Sequence, residues 1–124
     1  MCSAVTFRNP SLCMWMRKTK TVLWLDDLRR VPEDTSSEHY EWVKDFYEFQ
    51  MWILENGIPD VLDLDHDLGD GPSGYDCLKF CIDVVIGSKL DLPELRVHSM
   101  NPVGRENMVG YYENFADRYY KDPR

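Results

Sequence analysis

The stretch Thr21-Val22-Leu23-Trp24-Leu25 is almost wholly apolar and stops abruptly at Asp26-Asp27. A strand with one wet face alternates apolar and polar side chains. A run without alternation reads as a parallel strand covered on both faces. A second run, Asp60-Val61-Leu62-Asp63-Leu64-Asp65, follows Pro59 and leads into His66-Asp67-Leu68-Gly69. A third, Leu95-Arg96-Val97-His98-Ser99, leads into the loop Met100 to Gly104. Such strands need helices to cover them.

The segments between them supply helices. Phe46 to Glu55 repeats Phe46, Phe49 and Ile53 at helical spacing, with Asp45 as a cap and Asn56-Gly57 as a stop. Before it, Tyr40 to Lys44 reads as a short strand; one long helix from Ser37 to Glu55 is the alternative. Leu28 to His39 carries Pro32, Asp34, Ser36 and Ser37 and reads as a loop. Gly69 to Gly74 is a turn-rich loop. Tyr75 to Ile86 is apolar at Leu78, Cys81, Ile82 and Val85, and Gly87 should end it. Arg105 to Tyr120 forms a last amphipathic helix, with Met108, Tyr112, Phe115 and Tyr119 near one face. Trp24 and Trp42 are expected in or near the core, whereas Trp52 falls off its helix's apolar stripe.

Strands alternating with helices imply a parallel sheet with right-handed crossovers. A doubly wound sheet of about four strands takes the order 2-1-3-4. Ligands of such sheets bind beyond the carboxyl ends of the strands. Asp26-Asp27, Asp65-His66-Asp67 and His98-Ser99, followed by Asn101, should therefore converge at one edge.

With 124 residues and a 44% hydrophobic fraction, the chain suits one domain with one core. We expect residues 1–19 to be a loosely ordered extension and residues 20–124 to form the domain. Residues 1–16 are mildly apolar but are interrupted by Arg8, Asn9 and Pro10, and the cluster Arg17-Lys18-Lys20 follows them. That order is wrong for secretion, so a cytoplasmic setting is expected. No apolar run is long enough to span a membrane. The net charge of −8 excludes an extended nucleic-acid footprint. A nucleotide end remains open as a ligand, because a bound divalent metal can reverse the local sign. Cys77 and Cys81 stand four apart but have no second Cys/His pair at metal-finger spacing, so they read as buried or idle thiols.

Carboxylates gathered at one edge repel each other unless a cation, a proton or basic side chains compensate them. Asp26, Asp27, Asp65 and Asp67 suit a hard cation such as Mg²⁺. Any one of them could instead cap a helix. His66 sits between two aspartates and His98 ends a strand, so the pair could serve as acid and base on a phosphate ester. Ser99 and Asn101 can donate to an anion. Gly104 permits close backbone approach, and a helix opening at Arg105 would aim free N–H groups at the same edge. Arg105 and Arg29 add positive charge suited to phosphate.

Leu25-Asp26-Asp27-Leu28-Arg29, Leu64-Asp65-His66-Asp67-Leu68-Gly69 with Gly74-Tyr75-Asp76, and Val97-His98-Ser99-Met100-Asn101-Pro102-Val103-Gly104 with Asn107-Met108 together resemble the cyclic-phosphate processing receiver domain family. The resemblance runs from about Thr21 to Met108. It implies a three-layer, receiver-like (flavodoxin-like) α/β fold related to response-regulator receivers. It also implies Asp26 and Asp27 as metal ligands, Asp65 in the phosphoacceptor place, and Ser99 in the place of the hydroxyl residue ending the fourth strand. The chain departs from ordinary receivers. It ends after the helix that follows strand four, shows no equivalent of their fifth-strand Lys-Pro pair, and carries His66 and His98.

The resemblance implies action on a cyclic phosphate, such as a cyclic nucleotide or an RNA 2′,3′-cyclic end. The first reading is a metal-assisted phosphoesterase with His66, His98 and Asp65 as catalytic groups. The others are a phosphate- or nucleotide-binding signalling module and a plain interaction protein with a protein partner.

Overall fold

The computed structural model describes residues 19–69 and 71–121. All but the last residue of the expected extension lies outside that range. Four strands, β1 (Lys20–Leu25), β2 (Glu38–Val43), β3 (Val61–Leu64) and β4 (Glu94–Val97), pair in parallel in the order β2-β1-β3-β4. Three helices, α1 (Phe46–Asn56), α2 (Gly74–Ser88) and α3 (Pro102–Lys121), alternate with the later strands. This is the receiver-like, flavodoxin-like α/β arrangement that the motifs imply. The two central strands carry the unalternated runs, and Val22, Leu23, Leu25, Val61, Leu62 and Leu64 are fully buried.

Successive side chains of a strand point to opposite faces. On one face, Leu23, Leu25, Val43, Leu62 and Leu64 join Phe49 and Ile53 of α1, Leu78, Cys81 and Ile82 of α2, and Met108 of α3 in a single core. All three helices therefore gather on that face. The opposite face carries Val22, Trp24, Val61 and Asp63, also buried, and among the described residues no helix packs on it, so these residues form two layers, sheet and helices, where three were expected. Its strand residues are partly polar. There Arg96 of β4 donates to both carboxylate oxygens of Glu38 on β2, at 3.1 and 2.6 Å, and the Tyr40 hydroxyl donates to Glu38 at 3.0 Å.

Local chemistry explains the element boundaries. Asp45 accepts the Glu48 N–H at 2.8 Å as the expected cap of α1, so the segment folds as strand then helix. α2 runs past Gly87 to Ser88, because Lys89 takes the left-handed cap at φ 55° and its N–H reaches the Ile86 carbonyl. α3 opens at Pro102, a turn earlier than expected at Arg105. Proline suits the first helical position, and Asn101 before it caps the turn. Trp42 is 36% exposed instead of near the core, since β2 is an edge strand. Trp52 is half-buried against the core. Among the described residues, no helix is long and apolar enough to cross a membrane.

The Glu38–Arg96 pair gives a pH-dependent prediction. Hydrogen bonding from Arg96, then from Tyr40, holds the Glu38 carboxyl down at about 2. A carboxyl held below its ordinary value stabilises the fold at neutral pH, and that support fades as pH falls through the usual glutamate range toward about 2. Both side chains keep some solvent contact, so the effect should be modest. Arg96→Met should lower the thermal midpoint by a few degrees at pH 7, as followed by circular dichroism. The gap from wild type should narrow as the pH is lowered to about 3.

Candidate functional site

The site begins where β1 ends. Asp26 is 2% exposed, and its two carboxylate oxygens do different jobs. Oδ1 accepts the backbone N–H groups of Leu28 at 2.9 Å and Arg29 at 2.7 Å, which folds the chain into a tight turn after the strand. Oδ2 lies 3.0 Å from His98 Nε2. The Trp42 indole N–H donates to the Asp26 carbonyl at 2.9 Å, which ties the neighbouring edge strand to the same turn.

His98, just past β4, is held on three sides. Its Nδ1 lies 2.7 Å from Asp63 Oδ1, its Nε2 faces Asp26, and its ring stacks on Trp24 with centroids 3.9 Å apart and planes within 2°. An imidazole nitrogen facing a carboxylate must donate, so both contacts are hydrogen bonds when each nitrogen carries a proton. Asp63 and Trp24 were not singled out by sequence reasoning. The available signal was a carboxylate inside the otherwise apolar run Val61-Leu62-Asp63-Leu64. A buried charge of that kind requires a partner.

His66 is built differently. Its Nδ1 lies 3.0 Å from Asp67 Oδ1. Its ring rests on the start of α3: a Cβ added at Gly104 would come within 2.5 Å of the ring. Gly104 thus provides the floor under an imidazole. Gly74, the first residue of α2, is equally constrained, for a Cβ there would meet the Asp65 carbonyl oxygen at 1.9 Å. The Gly74 N–H donates to the His66 carbonyl at 2.9 Å, closing the loop between the two acidic positions and α2.

Two arginines clamp consecutive carbonyls of the β4–α3 turn. Arg29 donates to the His98 carbonyl and Arg105 to the Ser99 carbonyl, each at 2.9 Å. Both retain further guanidinium donors. The Ser99 side chain is buried, and its oxygen accepts the Asn101 N–H at 3.0 Å. Asn101 Oδ1 accepts the Gly104 N–H at 3.0 Å. The helix opening therefore offers less to an anion than expected. Pro102 has no N–H, the Gly104 and Arg105 N–H groups are taken by Asn101, and Val103 is the remaining first-turn donor.

Asp26, Asp27 and Asp65 each offer a carboxylate oxygen, all within 4.8 Å of one another. Asp67 is not in that group; its carboxylate is turned to His66. The environments of Asp26 and Asp65 push in opposite directions. Burial would raise Asp26, but hydrogen bonds from the Arg29 and Leu28 N–H groups and from His98 outweigh it and hold the carboxyl below its usual range. Burial pushes Asp65 up, and the negative charge of Asp26 pushes it further.

The sequence matches the family model of the cyclic-phosphate processing receiver domain over residues 21–114. The chain belongs to that family. No curated protein and no solved structure matches it. The match covers the four strands except Lys20, so the acidic cluster, both histidines and the β4–α3 turn fall inside the receiver domain. The cluster of this receiver suits a cation: its donors are anionic oxygens, the set preferred by hard divalent ions. The mutual repulsion that raises Asp65 is what such an ion would relieve. The three aspartates can therefore hold a divalent metal.

The packing of His66 on Gly104 can be tested directly. Gly104→Ala should displace the His66 ring and shift its imidazole resonances, leaving the Trp24-stacked His98 resonances nearly unchanged. Unchanged His66 resonances would mean that the ring does not rest there.

Proposed function

We propose that this receiver domain is a metal-assisted phosphoesterase that opens a cyclic phosphate, either of a cyclic nucleotide or of an RNA 2′,3′-cyclic end. The observation that carries the reading is the 3.0 Å contact between His98 Nε2 and Asp26 Oδ2, which joins an imidazole to the acidic cluster. The family membership supplies the substrate class.

Asp26, Asp27 and Asp65 would hold the divalent ion, probed first as Mg²⁺. When bound, that ion supplies Lewis-acid polarisation of a phosphoryl oxygen. The protein's own groups do the rest. Hydrolysis requires water to attack phosphorus, one bridging P–O bond to break, and the departing alkoxide to gain a proton. His66 and His98 divide these transfers: one takes the proton of the attacking water, and the other protonates the alkoxide. Asp67 orients His66 through Nδ1. The remaining donors of Arg29 and Arg105, with Ser99, Asn101 and the Val103 N–H beside Gly104, bind the anion and keep it at the strand ends. The buried thiols Cys77 and Cys81 suit a reducing, cytoplasmic setting.

The expected result is hydrolysis of a 2′,3′-cyclic nucleotide or a related cyclic phosphate that disappears in EDTA. His66→Ala and His98→Ala should each lower kcat about 100-fold or more. Absence of turnover across cyclic mononucleotides, cyclic dinucleotides and RNA 2′,3′-cyclic ends would overturn the reading.

One observation favours a second reading. Asp65 joins two other acids as it would in a phosphorylation switch, so it could accept a phosphoryl group without further turnover. A metal-dependent mass gain from an acyl phosphate, lost in Asp65→Asn, would support that reading instead.

A further inference from the structure

Three features of His98 combine to define its orientation, and they are not equivalent. The Trp24 stack, with planes within 2°, fixes the plane of the ring. It does not fix which edge points where, because a half-turn about the ring's bond to the side chain leaves the stack intact. That half-turn would put carbon where Nδ1 and Nε2 now stand. Only hydrogen bonds distinguish the two orientations, and there are two: Nδ1 to Asp63 at 2.7 Å and Nε2 to Asp26 at 3.0 Å. The Asp26 bond is the one that substrate or metal would disturb, since that carboxylate belongs to the acidic cluster. The Asp63 bond is not part of the cluster. It comes from the neighbouring strand β3, where Asp63 is only 8% exposed and paired in register with Trp24 and Arg96.

We propose that Asp63 is a positioning residue, whose bond to Nδ1 locks the His98 ring with Nε2 turned onto the Asp26–Asp27–Asp65 cluster. The proposal deepens the phosphoesterase reading and rests on it for its catalytic consequence. It also explains the carboxylate within β3. A buried acid on that strand is costly unless it has a donor, and His98 is the donor among the described residues. When a phosphoryl oxygen competes with Asp26 for Nε2, Asp63 still holds the other side of the ring. The same nitrogen then stays aimed at the reacting group.

The test has two arms. In long-range ¹H–¹⁵N spectra of the uniformly labelled protein without substrate, wild-type His98 should show an exchange-protected Nδ1–H proton. Asp63→Asn, nearly isosteric, should lose that signal. In turnover of a 2′,3′-cyclic nucleotide with Mg²⁺, Asp63→Asn should lower kcat about 10- to 100-fold, with KM changed less than about threefold. In a His98→Ala background it should cost almost nothing further, because its effect passes through His98. An unprotected Nδ1–H in wild type overturns the proposal, and this arm needs no variant to fold. So does an equal activity loss from Asp63→Asn with and without His98. If the wild type turns over no cyclic phosphate, the phosphoesterase reading fails by itself, and the imidazole signal alone decides the role of Asp63.

Discussion

The buried carboxylate of Asp26 is the joint on which the rest depends. One of its oxygens folds the turn after β1 by accepting two backbone N–H groups, and the other meets His98 across the sheet. A buried carboxylate is costly unless its lone pairs are engaged, and here they are. The consequence is asymmetric. Asp26 is held as an anion by its donors, whereas its neighbour Asp65 is pushed up first by burial and then by the charge of Asp26. A cluster with one firmly charged member and one strained member is ready for a cation.

The sheet explains how that joint is positioned. The helices gather on one face, where the core residues of β1 and β3 meet Phe49, Ile53, Leu78, Ile82 and Met108. The other face of the same strands buries Val22 and Val61 and carries polar groups beside them. Trp24, Asp63, Arg96 and Glu38 belong to that second face, and Asp26 and His98 continue it past the strand ends. The loops need only carry Asp27, His66 and the arginines to the same edge.

Much of this was legible in the sequence, for identifiable reasons. The unalternated runs ending in Asp26 and Asp65 marked central parallel strands, and the observed order is the one expected of a doubly wound sheet. The motif residues at the strand ends were legible because polar residues there have little structural reason to cluster. Asp63 was not, because a single acid within a strand reads as tolerance rather than design until its partner, 35 residues away, is seen. The start of α3 was misjudged by a turn, since Asn101 and Pro102 were read as loop chemistry when they are a cap and a first helical residue. Trp42 looked like core because large apolar side chains on strands are usually buried, although the expected order 2-1-3-4 already put its strand at the edge, where it is 36% exposed.

The most direct test of the account is a titration of the ¹⁵N-labelled protein with Mg²⁺ at neutral pH, followed residue by residue. One saturable event should move the signals of Asp26 to Arg29, Asp65 to Asp67 and the His98 ring together, and it should vanish in Asp26→Asn. No saturable change, or changes confined to the exposed acids elsewhere on the surface, would contradict it.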